Sequence, residues 1–524
     1  MRRLLLAAVL LSTLTYAQQP TPKPVAHPAF PTGESTPLGS KIATLLADPS
    51  VSRAHWGIAV TALDGTPIYG LDEGKLFRPA SNAKLFTTAA AMALLSPDAR
   101  TETRLIATGA QEQSWGQDGI LHADLELTGQ GDANLGVQAL DDMAATLAEH
   151  GVHKIMGSIV GIDAGWPYDP LPDTWGLDDV LWGYGAPVSA LTVNDNQIKL
   201  TVTPGPELGK PATVAVYPVV QYYRLDFGVL TVAKGEAAAV TIRRKPGSRT
   251  VSVTGTVAMG KPDVEELAID DPAEYAAEAL KVALVAHHIV VDGATRVVHN
   301  APPKDDRILS ESQKPVVTSK GPLPLLLAKP MESAWVCSGG CGTDVTIIKS
   351  PTVAEDVSVT MKESQNLHAE MLLHRLGWQW VDTGTNVEGV RVIRQWLLNT
   401  GLDGDDFVFY DGSGLSPHDL VTTRTTAQLL TFGATQPWFA QWKAALPIGG
   451  VDGTLSSRFK EAPLKGHVFA KTGTLGESRA LSGYLDCASG KQVIFSIMVD
   501  NHSPASSADR TVMDKIVAAI AATQ

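Results

Sequence analysis

The spacing of hydrophobic residues near the start of the chain predicts a β-hairpin followed by a helix. Apolar and β-branched residues at 57–63 and 66–71 flank an Asp-Gly dipeptide, a pattern typical of a hairpin turn. Residues 83–95 consist mainly of Ala, Leu and Thr without Gly or Pro, which favours a buried helix. Ser81 stands at the N-terminal end of this helix.

The middle of the chain has a different pattern, with short β-like runs separated by Gly, Pro, Asn and Asp. These runs lie at 121–127, 155–162, 198–202, 213–219 and 250–257. Helical spacing interrupts them once, at 272–288. We therefore expect a mainly β region over 98–300. Residues 301–348, rich in Pro, Ser and Lys at their start, predict an irregular connection.

Helical spacing returns in the last third of the chain and then gives way to strands. The predicted helices lie at 353–376, 389–398, 425–430 and 508–522, and the predicted strands at 466–471, 478–485 and 492–500. No period of about 20–50 residues recurs, so a repeat architecture is not indicated.

Composition and charge narrow the class of protein. The 524 residues include 42 Lys+Arg and 55 Asp+Glu, a net charge of −13, with 44% hydrophobic and 19% charged residues. These values are typical of a soluble globular protein of about two to four domains. Binding of nucleic acid through its phosphates requires clustered Lys and Arg, and no such run is present.

The N-terminus resembles a signal peptide. Two arginines, an apolar run at 4–14 and small residues at Thr15 and Ala17 predict cleavage before Gln18. The run is too short to span a bilayer, and no later stretch reaches about 18 apolar residues. We expect residues 1–17 to be removed, 18–36 to form a Pro-rich linker, and the mature chain to be secreted without an anchor into the periplasm or another extracytoplasmic compartment. A retained N-terminal anchor is the alternative.

The chain has three cysteines. In an oxidising compartment Cys337 and Cys341 could form a small-loop disulfide across a Gly-Gly pair, leaving Cys487 unpaired. A metal site at this loop is the alternative, but it lacks two further ligands. We therefore predict no metal and no cofactor.

The first chemical motif is Ser81-x-x-Lys84. Residues at i and i+3 of a helix share a face, so the amine of Lys84 can reach the hydroxyl of Ser81 and remove its proton. The positive end of the helix dipole disfavours an ammonium there and favours a developing oxyanion. The pattern is weak alone, since an N-cap serine would give it too. It recurs at Ser457-x-x-Lys460, which we interpret as a chance match.

Two further motifs follow in a characteristic order. They are Ser364-Gln365-Asn366, in a helical segment, and Lys471-Thr472-Gly473, in a predicted strand and followed by Thr474. The order S-x-x-K, S-x-N, K-T-G is that of serine penicillin-binding proteins and related β-lactamases. Ser457 does not fit this order, because it follows the S-x-N motif.

With these motifs the chain resembles the class C low-molecular-mass penicillin-binding proteins, the DacB-like D-alanyl-D-alanine carboxypeptidases/endopeptidases. The long gap between Ser81 and Ser364, against a much shorter one between Asn366 and Lys471, matches this family, which fills the gap with inserted domains. Further segments that resemble the family lie at 129–132, 184–191, 411–416 and 453–455. The resemblance covers essentially the whole mature chain.

The resemblance implies an α/β (α+β) fold. In it, a β-lactamase/transpeptidase-like domain, an antiparallel sheet flanked by helices, is interrupted by a large mainly-β insertion. The catalytic domain would combine residues 37–97 and 349–524, with 98–300 inserted and 301–348 connecting them. The implied activity is that of a serine D-Ala-D-Ala carboxypeptidase, with D,D-endopeptidase activity as an option, acting on peptidoglycan stem peptides. β-Lactams would be covalent inhibitors.

The resemblance also assigns roles to residues. Ser81 would be the nucleophile, Lys84 its base, Ser364 the proton relay to the departing amine, Asn366 the ligand of the substrate amide, and Lys471, Thr472 and Thr474 the ligands of the terminal carboxylate. Gly473 would leave room for the substrate strand, and the N–H groups of Ser81 and Thr474 would form the oxyanion hole.

Two positions concern the third residue of the stem peptide. In the family an Asp is thought to face the cleft, and Asp163 matches it, so its carboxylate would pair with a free amine. An Arg often follows the D-G-S-G-L-S run, but here Pro417 does. Weak discrimination between diaminopimelate and lysine is therefore expected.

Other functions remain as alternatives. A serine β-lactamase needs a fast deacylating base, and no E-x-x-L-N segment lies between Ser364 and Lys471. A non-catalytic peptidoglycan-binding scaffold usually lacks a motif residue, and none is lost here. The chain has neither H-E-x-x-H nor G-x-S-x-G, and Asp411-Gly-Ser-Gly414 reads as a tight turn rather than a second nucleophile.

Overall fold

The computed structural model describes residues 27–108, 118–302, 307–318, 321–327, 329 and 342–524. The predicted signal peptide, residues 18–26 of the Pro-rich linker, and Cys337 and Cys341 lie outside the described residues. Cys487 is a buried free thiol, as expected. In the described part of the chain, no helix combines the length and the apolar character required to cross a membrane.

The described helices and strands follow one another along the whole chain. The helices are α1 Pro37–Leu46, α2 Ala83–Leu94, α3 Val137–Glu149, α4 Pro272–Ala286, α5 Ile308–Glu311, α6 Val353–Lys362, α7 Asn366–Val381, α8 Asn386–Asn399, α9 Thr423–Ala434, α10 Phe439–Ala445 and α11 Ala508–Thr523. The strands are β1 His55–Ala62, β2 Pro67–Leu71, β3 Leu76–Phe77, β4 Glu102–Thr108, β5 Ile120–Leu121, β6 Asp124–Gly129, β7 Lys154–Ile155, β8 Ile159–Pro167, β9 Gln197–Thr203, β10 Thr213–Tyr217, β11 Arg224–Val232, β12 Val240–Arg244, β13 Thr250–Ala258, β14 Asp263–Ala268, β15 Val290–Val291, β16 Thr295–Asn300, β17 Thr343–Lys349, β18 Phe407–Val408, β19 Leu420–Thr422, β20 Val468–Leu475, β21 Ser478–Asp486 and β22 Gln492–Asp500.

A five-stranded antiparallel sheet joins the two ends of the chain. Its strand order is β2-β1-β22-β21-β20, so the predicted hairpin pairs with the last three strands. Helices α1 and α11 share a hydrophobic cluster with one set of its side chains, and α2, α7 and α9 share another. Alternate residues of a strand face opposite sides, so both sides of the sheet are covered. This is the predicted fold class.

The chain between α2 and α6 forms several smaller sheets. The largest has the order β16-β8-β6-β4-β17 and mixes parallel and antiparallel pairs, while β10-β9-β14 and β11-β13-β12 are three-stranded. Helices α3 and α4 and the strands of these sheets share one hydrophobic cluster. Helix α3 was missing from the prediction, although its buried Leu140, Met143, Ala144 and Leu147 have helical spacing.

Two predicted elements are corrected near the motifs. The helical stretch predicted over 353–376 is two helices, α6 and α7, and Ser364 lies between them with a φ of 62°. The strand predicted to end at Lys471 continues to Leu475, which places the K-T-G motif inside β20. Both changes concern the exact positions of candidate active-site residues.

Candidate active site

Ser81 and Lys84 meet as the sequence predicted. Ser81 lies in a single 3-10 turn, Ala80–Asn82, that leads directly into α2, and Lys84 is in the first turn of that helix. Lys84 Nζ donates to Ser81 Oγ at 3.1 Å. Helix α2 is buried at every position, which keeps water away from the amine.

The amine of Lys84 has two further acceptors. It donates to Asn366 Oδ1 at 2.6 Å and to the carbonyl oxygen of Ser413 at 2.7 Å. Burial lowers the pKa of Lys84 to about 8, against the opposing effect of nearby carboxylates, chiefly that of Asp411. The side chain is thus held in place as an ammonium but is far easier to deprotonate than a lysine in water.

The S-x-N motif lies at the turn between α6 and α7. Ser364 Oγ accepts from Lys471 Nζ at 2.7 Å, while Asn366 contacts Lys84 and donates through Nδ2 to the carbonyl oxygen of Tyr184 at 2.8 Å. The motif therefore links the two lysines. A left-handed φ at a non-glycine residue costs energy and is often found at functional sites, and Ser364 and Ala80, with a φ of 47°, both have one.

Lys471 is fully buried in β20, the edge strand of the central sheet. Besides Ser364, its Nζ contacts the carbonyl oxygen of Thr472 at 3.0 Å. Burial, followed by the charge of Lys84, lowers the pKa of Lys471 well below its usual range. The hydroxyl of Thr472 lies 2.7 Å from that of Thr454.

The outer edge of β20 is covered only in its first half. Ala470 N donates to Pro447 O at 3.0 Å, and Val468 O accepts from Gly449 N at 2.9 Å. Backbone groups of alternate residues in a strand point to the same edge. The N–H groups of Thr472 and Thr474 therefore point to this edge beyond the covered part.

The reason predicted for Gly473 needs correction. A Cβ at this position would lie 2.6 Å from the carbonyl oxygen of Pro79 and 3.2 Å from the Cβ of Ala80. Contacts under 3.0 Å to backbone are not tolerated without a shift. Gly473 thus allows β20 to approach the turn that carries Ser81, rather than making room for a substrate.

Asp163 is not part of this cluster. It lies in β8, is 4% exposed, and its two carboxylate oxygens are 3.0 Å from Ser189 Oγ and 2.9 Å from His299 Nδ1. His299 Nε2 is in turn 3.1 Å from Asp271 Oδ2. Both carboxylate oxygens already have a partner, so a substrate amine would have to replace or share one of them. Its part in recognition stays a prediction.

The Asp411 segment is a tight turn, as predicted. Asp411 accepts from the backbone N–H groups of Gly414 and Ser416 at 2.7 Å each, and from Trp175 Nε1 at 2.9 Å. Ser413 is fully buried and contributes its carbonyl to Lys84. The turn therefore supports the base.

Buried carboxyl groups around Lys84 were not predicted. Glu370 on α7 accepts from Gly412 N at 3.0 Å and from Ser413 N at 2.7 Å. Burial, together with the charge of Asp411, raises the pKa of Glu370 and also that of Asp419. The sequence contains one signal for this contact, because Glu370 stands within the apolar pattern of a helix. That position indicates a buried carboxyl group but does not identify its partner.

An ion-pair network braces the start of α7. His368 Nδ1 lies 2.6 Å from Asp356 Oδ1 on α6, and its Nε2 lies 3.1 Å from Asp195 Oδ1. Burial opposes a charge on His368, but the two carboxylates outweigh it and raise its pKa to about 10. The network ties the S-x-N turn to the segment around Asp195.

One group of side chains has the spacing to share a cation in the described part of the chain. It consists of His27, Asp403 and Asp406. Arg424 already binds both carboxylate oxygens of Asp406, at 2.6 and 2.7 Å. None of these residues belongs to the cluster of Ser81, so the group offers nothing to that site.

The serine–lysine pair, the second serine and the K-T-G edge strand together define the class of serine enzymes that react with penicillin. The family model described as "D-Ala-D-Ala carboxypeptidase 3 (S13) family" matches residues 38–328 and 342–523. The chain belongs to this family of D-Ala-D-Ala carboxypeptidases, which confirms the predicted family and enzyme class.

Similar proteins support this assignment. A D-alanyl-D-alanine carboxypeptidase of Actinomadura sp. (strain R39) is 32% identical over 93% of this chain and 85% of its own length. The D-alanyl-D-alanine carboxypeptidase DacB of Haemophilus influenzae is 26% identical over 82% of each chain. The crystal structure of penicillin binding protein 4 (dacB) from H. influenzae has the same fold, with a TM-score of 0.73 at 22% identity over 91% of this chain and 97% of that one.

Proposed function

We propose that this chain removes the terminal D-Ala from peptidoglycan stem peptides through an acyl-enzyme on Ser81. The observation that carries the proposal is the meeting of all three motifs: Lys84 contacts Ser81 and Asn366, and Lys471 contacts Ser364. The catalytic part would comprise residues 37–97 and 349–524 around the inserted 98–300. Cross-linked peptides would be a second substrate.

Acylation would begin at the pair of Ser81 and Lys84. The neutral amine of Lys84 takes the hydroxyl proton while Ser81 Oγ bonds to the carbonyl carbon of the penultimate D-Ala. The negative charge that develops on the carbonyl oxygen would be held by the N–H groups of Ser81 and Thr474. The outward direction of the Thr474 N–H on the edge of β20 supports this role.

Ser364 would complete the step by returning the proton. Lys471 donates to Ser364 Oγ, which leaves the hydroxyl hydrogen of Ser364 to be given to the departing amine as the C–N bond breaks. The proton that Lys84 took from Ser81 then passes to Ser364 Oγ, so that both groups regain their starting states. D-Ala leaves, and water then cleaves the ester on Ser81 to release the shortened peptide. Both lysines are buried, so proton transfer takes place without competing bulk water.

The terminal carboxylate of the substrate would bind at the K-T-G strand. Lys471 supplies a hydrogen-bond donor near the open edge of β20, and Thr472 and Thr474 supply hydroxyl groups. Asn366, held between Lys84 and the carbonyl of Tyr184, would orient the substrate amide. A charged end group at this edge distinguishes a carboxypeptidase substrate from an internal peptide.

Two measurements test this function. The parent protein should release D-Ala from an acylated L-Lys-D-Ala-D-Ala peptide but leave the same peptide ending in D-Ala-L-Ala intact. Intact-mass analysis after mixing with penicillin should show one lasting adduct. Rapid return to the native mass would indicate a β-lactamase instead, and no adduct with no D-Ala release would indicate a scaffold.

Secretion is part of the proposal. The signal-like residues 1–17 support export across the inner membrane into the periplasm or an equivalent compartment. N-terminal sequencing of the mature protein should begin at Gln18. A start at Met1 in exported protein would contradict cleavage.

A further inference from the structure

A groove lies between the segment 177–182 and strand β12, outside the catalytic cluster. Its cavity volume is about 920 Å³. The apolar part of its wall comes from Leu177, Leu181, Trp182 and Ile242. Its charged part comes from Asp178 and from Arg243, Arg244 and Lys245. Leu177 is 74% exposed, so the apolar wall is open to solvent.

The cations of the groove are unpaired. Arg243 and Lys245 are exposed and have no ion-pair partner among the described residues, whereas the neighbouring Arg244 pairs with Asp270 and lies over the ring of Tyr223. The chain as a whole has a net charge of −13. Because Arg243 and Lys245 outnumber the single acidic residue of the lining, Asp178, the groove favours an anionic, partly apolar ligand over a cationic one.

One segment of the chain connects the groove to the catalytic cluster. Just before the groove residues, Trp175 donates to Asp411 at 2.9 Å, and just after them the carbonyl of Tyr184 accepts from Asn366 at 2.8 Å. Leu177 and Trp182 are each two residues from these contacts. Since a chain spans at most about 3.6 Å per residue, the groove begins within about 7 Å along the backbone of the residues that touch the site.

We propose that this groove binds the second peptide arm of a cross-linked peptidoglycan substrate. This inference rests on the proposed function: a cross-link joins two stem peptides, so while Ser81 attacks the carbonyl of one arm, the other arm is still joined to it as the leaving group and must extend out of the site. The free carboxylates of the second arm would lie against Arg243 and Lys245, and its aliphatic chains against Leu177 and Trp182. A peptide without a second arm does not reach the groove.

The test reverses both charges in Arg243→Glu/Lys245→Glu. The matched control is Lys234→Glu/Lys261→Glu, which changes the net charge equally at two exposed lysines of the same region that do not line the groove. Each protein is assayed on a cross-linked muropeptide dimer and on a short single peptide ending in D-Ala-D-Ala.

We expect the groove variant to raise KM for the dimer about tenfold with kcat unchanged, because exposed charge pairs each contribute a few-fold in affinity and reversal adds repulsion. Its kinetics on the short peptide, and the control variant on both substrates, should equal those of the parent. An unchanged KM for the dimer, or an equal rise in the control variant, overturns the proposal.

A binding measurement separates this inference from the proposed function. In Ser81→Ala, a fluorescent dimer with free carboxylates should bind about tenfold tighter than one whose second arm is amidated, and the groove substitutions should remove that difference. Groove-dependent binding in a protein whose parent releases no D-Ala would refute the catalytic proposal alone. Binding of peptide-free glycan strands that the groove substitutions abolish would refute the second-arm assignment.

Discussion

Because the pKa of Lys84 is lowered, the pH dependence of the acylation rate measures directly whether Lys84 acts as the general base. Burial brings the pKa from 10.5 to about 8. At pH 7 the neutral amine would be about one molecule in ten, against about one in 3,000 for an unperturbed lysine, so burial increases the amount of usable base by about 300-fold. The nearby carboxylates limit this increase, because each favours the ammonium.

The acylation rate should therefore depend on pH with a defined sign. The base is the neutral amine, which is populated above its pKa, so the rate constant for acylation by a β-lactam should rise about tenfold from pH 6 to 7 and level off above about 8. Lys84→Arg should lower it at least about 100-fold throughout this range, since a guanidinium is not deprotonated in proteins.

Stopped-flow acylation with a chromogenic cephalosporin, checked by intact mass, measures these rates. Lys41→Arg is the matched control, since Lys41 lies on the surface of α1, and equal melting temperatures would show that both variants fold. A rate independent of pH between 6 and 9, or parent-like acylation of Lys84→Arg, would refute general-base catalysis and leave Lys84 as a packing or electrostatic residue.

Three further predictions concern other parts of the site. Ser81→Ala should abolish penicillin labelling while Ser457→Ala leaves it intact, as measured by adduct mass; labelling that survives the first change contradicts the assignment. Gly473→Ala should lower stability by about 1–3 kcal/mol in urea unfolding, because its Cβ meets the Pro79 carbonyl, and stability equal to the parent would show that the strand can shift. The melting temperature of the parent should exceed that of His368→Gln, and the difference should be largest below about pH 6.5. It should vanish as the pH rises towards 10, the pKa of His368 in the folded state. A difference that does not change with pH would exclude the ion pair as its cause.

Several strands and the candidate catalytic residues could be predicted because their signals are present in the sequence itself. The predicted strand at 492–500 has the same bounds as β22, where a long apolar run leaves few alternatives. The order of the three motifs was enough to choose Ser81 over Ser457. The first conclusion depends on a pattern within a few residues and the second on the order of short motifs along the chain, and the sequence contains both in full.

The features of the site that the sequence did not predict depend on contacts between distant segments of the chain. Helical spacing continues through 353–376, so the break at Ser364 is visible only once Lys471 and the turn are placed together. In the same way, Glu370 gives no sign that it binds the backbone of Gly412 and Ser413. The pairing of Asp163 with His299 also joins two strands far apart in sequence.

The base of this site is held by a structure that is costly to fold. The amine of Lys84 is held by the carbonyl of Ser413, and the turn that contains Ser413 is held by the buried Glu370. Position 414 in this turn must be glycine, because a Cβ there would lie 1.8 Å from the carbonyl oxygen of Ala80. Buried charges and left-handed residues each reduce stability. Since apolar replacements of buried charged groups are often neutral or stabilising, the network contributes more to the position of Lys84 than to the stability of the fold. A variant such as Glu370→Leu that became more stable but lost acylation would separate the two contributions.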